Sequence, residues 1–284
     1  MMRLFDAHCH LQDPRIFSKA QQIIKTTQDT GVVYFVVNGV CEQDWHSVKH
    51  MAETFPCVIP CFGLHPWYVN ERSPSWFKTL REYFDSTPSA AIGEIGVDKG
   101  SYGRKIDFSE QVEVLRQQLE LAKELNKPAS IHCVRAFGSA EMVPEFSKLG
   151  AYFSFSGFLM SLKANKAKKM LKMVPFDRIL LETDAPDALP MSNIDSLHFV
   201  EGDTSLTEEF LHASTSVSSL GNSSHVSANA SKLPKDMLNH PANIHNVLDY
   251  VASMLEITKE ELAELSYQNA VRLLSYEGSK VLLK

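Results

Sequence analysis

Leu4-Phe5-Asp6-Ala7-His8-Cys9-His10-Leu11 is the stretch on which the fold reading turns. It is a short apolar run that ends in two histidines spaced two apart. Alternate side chains of a strand share a face, so His8 and His10 point together off its end. Two adjacent imidazoles can chelate a divalent cation such as Zn²⁺ or Mn²⁺. Asp6, one further step of two back, is a helper to these histidines or a third polar group on their face. A His-x-His pair in a strand also arises incidentally, so its meaning rests on the rest of the chain.

Outward from it, apolar β-rich runs cover residues 3–8, 32–38, 58–63, 90–97, 129–134, 151–156 and 178–183. Segments of helical period lie between them, as in 111–125, where Val114, Leu115, Leu119, Leu121 and Ala122 recur near every 3.6 residues. Strand–helix alternation of this kind predicts a parallel sheet, open or closed into a barrel. Several runs end in His or acidic residues, which suits ligands at the carboxyl ends of barrel strands. No GxGxxG or P-loop supports an open nucleotide-binding sheet. The expected fold is therefore an α/β TIM-type (β/α) barrel forming one domain over 1–284, with only seven of the usual eight strands recognisable. Residues 192–235 break the rhythm with Ser214, Ser216, Ser218, Ser219, Ser223, Ser224, Ser227 and Ser231, and read as a partly disordered loop within that domain. Helices are expected again at 243–255 and 259–274, the second opened by a Thr258/Glu261 capping box.

The 284 residues are 44% hydrophobic and 22% charged, too apolar for a disordered chain. A net charge of −6 excludes a protein that holds nucleic acid by its bulk field, while leaving phosphate binding through a local patch or bound cations. Five cysteines, odd in number and without a CxxC pair, argue for reduced thiols rather than a disulfide framework. Cys57 and Cys61 lack the second pair that a zinc site needs. Neither a signal peptide nor an apolar run of about 18 residues is present, so an intracellular, cytoplasmic or nuclear protein without membrane contact is expected.

Three further strand ends carry chemistry. In Gly93-Glu94-Ile95-Gly96-Val97-Asp98, an acid in an apolar strand is costly unless paired with a base or a cation, and Glu94 has two oxygens with which to bridge metals. His132 ends the run 129–134, where a solitary histidine also suits a satisfied core position. Asp184 ends the run 178–183 in Leu180-Leu181-Glu182-Thr183-Asp184-Ala185-Pro186, placed to ligate metal and accept a proton from water. Lys163, Lys166, Lys168, Lys169 and Lys172 read as a solvated helix face before they read as a DNA contact. Trp67 and Tyr68 can stack on a base or simply pack.

With these words in order, the sequence resembles the TatD-type metal-dependent deoxyribonucleases, a branch of the amidohydrolase-like barrels. The matching words are DAHCHL (6–11), GLHP (63–66), GEIGVD (93–98), IHCVRA (131–136), LLETDAP (180–186) and NHPANI (239–244). The resemblance implies hydrolysis of DNA phosphodiesters, exonuclease-like, by water activated with one or two divalent cations. Mg²⁺ is the expected ion, Mn²⁺ or Zn²⁺ the alternatives. It makes His8, His10, Glu94, His132 and Asp184 metal ligands and places His65 and Arg135 near the substrate phosphate. Glu94 and Asp184 are the catalytic carboxylates, with DNA as substrate and a monomer without obligate protein partner expected.

One departure matters. The family pattern has a further strand, ending in a His-x-x-Gly word whose His is a metal ligand, between the IHC strand and the run 151–156. No histidine lies between His132 and His198 here. Residues 136–150 are enough for one crossover helix but not for helix, strand and helix. Gly138–Ser139 thus resembles a deletion junction, as an omitted exon would leave. The alternative expectation is a catalytically impaired isoform with residual metal or nucleic-acid binding, and convergence of the remaining ligands separates the two.

Overall fold

All seven apolar runs are strands. In the computed structural model, which describes residues 2–134, 142–203 and 237–281, they are β1 (Leu4–Cys9), β2 (Val32–Asn38), β3 (Val58–Phe62), β4 (Ala91–Asp98), β5 (Ala129–Val134), β6 (Phe153–Phe155) and β7 (Ile179–Leu181). Strands β1 to β5 pair in chain order as one parallel sheet, and β6 and β7 form a second parallel pair. The helices between and after them are α1 (Pro14–Phe17), α2 (Ala20–Gln28), α3 (Trp45–Thr54), α4 (Trp76–Ser86), α5 (Phe108–Glu124), α6 (Val143–Lys148), α7 (Ala164–Met173), α8 (Ile244–Leu255) and α9 (Lys259–Leu274). The Thr258/Glu261 capping box forms as expected.

Strand β4 is buried at all eight positions. It runs through the wall with side chains inside and helices outside, which is why it reads as a continuous apolar run. The wall closes between β1 and β7. Asp184 N–H donates to the His8 carbonyl at 2.9 Å, and His10 N–H donates to the Ala185 carbonyl at 2.7 Å. Asp6, fully buried, accepts from Thr183 N–H at 2.9 Å and from the Thr183 hydroxyl at 2.5 Å. Asp6 is thus a strut across this seam. Arg15 adds a clamp, donating to Asp13 and to both oxygens of Asp187.

The opposite seam, between β5 and β6, carries no ladder among the described residues. Ile131 on β5 is 50% exposed, although its register partner Ile95 on β4 is fully buried. Residues 135–141, including Arg135 and the Gly138–Ser139 junction, lie outside the described residues.

Three expectations are corrected or sharpened. Within 192–235, residues 192–203 are ordered: β8 (Phe199–Glu201) pairs antiparallel with β9 (Met237–Asn239), and 204–235 lie outside the described residues. In α5, Leu119 is 39% exposed and its place in the buried face is taken by Gln111 and Gln118. Gln118 accepts from Leu64 N–H and returns a bond to the Leu64 carbonyl, while Gln111 accepts from Asp98 N–H. These amides tie the loops after β3 and β4 to the helix. The lysine-rich α7 buries Ala167 and Leu171, and Lys168 pairs with Glu256, as a solvated outer face does. No described helix is long and apolar enough to cross a membrane.

Candidate metal centre

His8 at the end of β1 and His10 just beyond it bring their Nε2 atoms to 3.1 Å from each other. The opposite ring nitrogens explain this orientation. His10 Nδ1 lies 2.9 Å from the Asn38 carbonyl oxygen, which only accepts, so Nδ1 carries a hydrogen and Nε2 is the nitrogen that presents its lone pair when the ring is neutral. His8 Nδ1 lies 3.0 Å from the Ser130 hydroxyl. Glu94 Oε2 is 3.4 Å from both Nε2 atoms, and Asp184 Oδ1 is 3.8 Å from one and 3.5 Å from the other. Four electron-pair donors facing one point repel unless a cation lies among them. Two neutral imidazoles and two carboxylates leave two negative charges, the complement of a divalent ion, and the outer bonds to Asn38 and Ser130 are those that orient ligating histidines.

The titration behaviour has the same cause. Burial lowers the affinity of His10 for a proton, but hydrogen bonds and charge from Asp184 and Glu94 overrule it and hold its pKa well above the ordinary value. His8 is raised in the same way by Glu94 against its burial. Burial alone lifts Glu94, yet His8, His65, His10 and His132 together hold it well below the carboxylate range. This pocket binds positive charge, and a metal ion competes with protons for it.

The glycines around Glu94 are required by this geometry. Gly96 has φ +152°, and a Cβ there would collide with the His132 carbonyl. It lets β5 approach β4 closely enough for His132 Nδ1 to sit 3.1 Å from Glu94 Oε1.

His65, Glu94 and His132 form a second candidate group. As oriented here, His65 offers this group no lone pair. Its Nδ1 accepts the Trp67 N–H at 3.2 Å in the 3₁₀ turn Pro66–Glu71, so the neutral ring carries its hydrogen on Nε2, 3.8 Å from Glu94 Oε1. Burial, then the charge of His132, pushes the His65 pKa down to about 3, keeping the ring neutral. It turns a hydrogen-bond donor towards Glu94 Oε1. His132 Nε2 is buried 3.8 Å from Asp98 Oδ2, beyond hydrogen-bond distance. The second position therefore retains Glu94 and His132, two donors fewer than the four gathered at the first position.

The structure thus gathers His8, His10, Glu94, Asp184, His65 and His132, while Arg135 lies outside the described residues. Sequence reasoning missed the orienting pair Asn38 and Ser130, for which an apolar strand offers no local signal. It quoted Asp98 and Glu182 without giving them roles. Burial raises Glu182 to about 7 beside His8 and Asp184. Burial also raises Asp98, but the nearby His132, together with bonds from Trp67 and Gly100, brings it down to about 2.

The TatD related DNase model matches residues 5–138 and 136–275, two pieces that meet at the Gly138–Ser139 junction. The chain belongs to the TatD-related DNase family. It is accordingly a metal-dependent hydrolase that acts on DNA. Among relatives, it is 27% identical to the uncharacterized metal-dependent hydrolase YabD of Bacillus subtilis, over 95% of this chain and 98% of that protein. It is 31% identical to the 3′-5′ ssDNA/RNA exonuclease TatD of Pantoea vagans, over 66% of this chain and 81% of that protein. The crystal structure of the Escherichia coli TatD homologue YjjV superimposes with a TM-score of 0.74 at 21% identity, covering 96% of this chain and 98% of the other, which shows the shared TIM-barrel fold. The YabD alignment extends over 296 positions, more than the 284 residues present here, so it includes positions this chain does not fill.

Proposed function

We propose that this chain removes nucleotides from a DNA end by hydrolysing the terminal phosphodiester, with His8, His10, Glu94 and Asp184 holding one divalent cation. The single observation that carries the reading is the 3.1 Å approach of two histidine Nε2 atoms, each within 3.8 Å of two carboxylates. The end-directed mode is an extension from the printed name of the Pantoea relative. When bound, the cation would neutralise charge on the scissile phosphate and make water acidic enough to attack it.

The protein groups divide the remaining work. Asp184, at the end of β7, is placed to accept the proton of the attacking water. His65 Nε2–H donates to a non-bridging phosphate oxygen, and because the ring is neutral it donates without competing for the cation. Glu94 faces both His8/His10 and His132 with different oxygens, so it sets the spacing of the whole site. His132 lies where charge builds up on the phosphate. Arg135, from the family resemblance, would add a second phosphate contact.

Two imidazoles beside two carboxylates suit Mn²⁺ or Zn²⁺ better than Mg²⁺, which prefers an all-oxygen shell. The impaired reading is disfavoured because the four ligands converge in spite of the open seam. The test is cleavage of linear DNA by the purified chain with Mn²⁺, Mg²⁺ or Zn²⁺, and with EDTA, against a folded His8→Ala, His10→Ala variant. Cation-dependent cleavage lost in the variant supports the reading. Cleavage equal in both proteins, or none by either, overturns it.

A further inference from the structure

We infer that Trp67 and Tyr102 form a base-stacking subsite beside the metal centre, taking the base of the nucleotide whose phosphate is attacked. Lys99, Arg104 and Lys105 then form its phosphate rail. The inference rests on the nuclease reading above and goes on to specify what part of the substrate is recognised.

A line of rings leads outward from the site. The Trp67 ring centroid is 4.9 Å from His65 and 6.0 Å from His132, both edge-on, and 5.0 Å from Tyr102. Trp67 does not rotate freely: its Nε1–H donates to Asp98 Oδ2 at 2.5 Å, which pins the plane of the indole. Asp98 is in turn fixed by its bond from Gly100 N–H, and its own N–H by Gln111. A flat ring held rigidly loses little entropy when a base stacks on it. Unlike Trp45 and Trp76, which are buried, Trp67 and Tyr102 are only half-buried.

The cations follow the same line. Lys99, Arg104 and Lys105 are exposed, fall within seven residues, and none pairs with a carboxylate among the described residues. Lys105 Nζ sits 5.0 Å over the Tyr102 ring, and Lys99 Nζ sits 4.0 Å over Phe108. On a chain of net charge −6, three exposed cations within seven residues make a local positive patch beside Tyr102 across which a polyanion can lie. Aromatic platforms beside unpaired cations are how proteins hold single strands without reading sequence, since every base has a stacking face. A paired duplex end offers no such free base. The subsite therefore favours single-stranded ends.

Two measurements test it. In EDTA, titration with a (dT) oligonucleotide should quench tryptophan fluorescence, because Trp67 is the one tryptophan with an accessible ring, and Trp67→Phe should abolish the quenching. With a cation present, kcat/KM is compared between an oligonucleotide with an intact terminal nucleotide and one with an abasic terminal residue. One stacked base is expected to favour the intact end by roughly five- to a hundredfold. Tyr102→Ala should bring that ratio to near one, and Tyr102→Phe, which keeps the ring, should retain it. Hydrolysis of both substrates with a ratio near one in the wild type, or a ratio untouched by Tyr102→Ala, overturns the subsite alone. No cation-dependent hydrolysis of either substrate overturns the proposed function and the subsite with it.

Discussion

The two seams of the barrel wall behave in opposite ways. Between β7 and β1, two backbone bonds, the Asp6–Thr183 strut and the Arg15–Asp187 clamp join strands that are far apart in sequence. Between β5 and β6, no ladder exists among the described residues and an isoleucine stands half-exposed in mid-strand. The candidate metal ligands divide along the same line. His8, His10 and Asp184 flank the closed seam and converge, whereas His132 flanks the open one and shares only Glu94 with that set. Ligand geometry is as good as the hydrogen-bonded frame beneath it, because a donor set tolerates errors of only tenths of an ångström.

Substitution at the closed seam should have the largest effect. His10→Ala should lower cation-dependent kcat/KM on the order of 10³-fold, while His132→Ala costs nearer tenfold. Steady-state cleavage assays on both variants check this, and equal losses would mean that the open seam carries an equally important ligand. Calorimetric titration sharpens the same contrast: one tightly bound Mn²⁺ per chain is expected, and two would show a complete second position.

Next in size is the register pair across β4 and β5. Ile95→Ala should cost about 2–5 kcal/mol, since it opens a cavity in a fully packed wall. Ile131→Ala should cost less than about 1 kcal/mol, because half its side chain already meets water. Urea unfolding of the two variants reads the difference directly.

A pH effect should follow from the covering of the closed seam. His240 caps the turn that opens α8 by accepting from Ala242 N–H, and burial, then the charge of His198, pushes its pKa down to about 4. Because the folded state disfavours the charged ring, its contribution is present above the unfolded value of 6.5 and is lost as pH falls from there towards 4. The loss should be on the order of 1–3 kcal/mol. In His240→Asn, melting temperature between pH 7 and 5 should fall less steeply. If both proteins lose stability in parallel, this group is not the cause.

The smallest expected change is a gain. Inserting a strand–helix segment from a relative at Gly138–Ser139 should close the second seam and raise the melting temperature by several degrees, at about 2–4 °C per kcal/mol for a chain of this size. If that segment ends in a histidine, a second cation should bind. An unchanged melting temperature would mean that the seam is not the weak point of the wall.

Much of this architecture is legible in the residues. Period-two alternation puts Asp6, His8 and His10 on one face, and the apolar runs locate seven strands to within two residues at either end. The same reasoning fails where the decisive partner is remote. Leu119 fits the helical period of α5, yet Gln111 and Gln118 take the buried positions because Leu64 and Asp98 present backbone groups there. Nothing near His65 in the chain says which nitrogen bears its hydrogen; the Trp67 N–H and the crowding of His132 and Glu94 decide it.

By itself, then, the sequence determined where the strands lie, which His and acidic residues stand at their ends and that no histidine falls between His132 and His198, since these follow from local periodicity and from which residues are present. Only the tertiary structure decided that Asp6 is a strut, that His65 turns its Nδ1 to the Trp67 N–H, and that one seam closes beside the site while the other carries no ladder among the described residues. Those outcomes depend on contacts between residues as far apart as Asp6 and Thr183. Burial and hydrogen-bond direction at such contacts come from the packed wall, and no local pattern carries them.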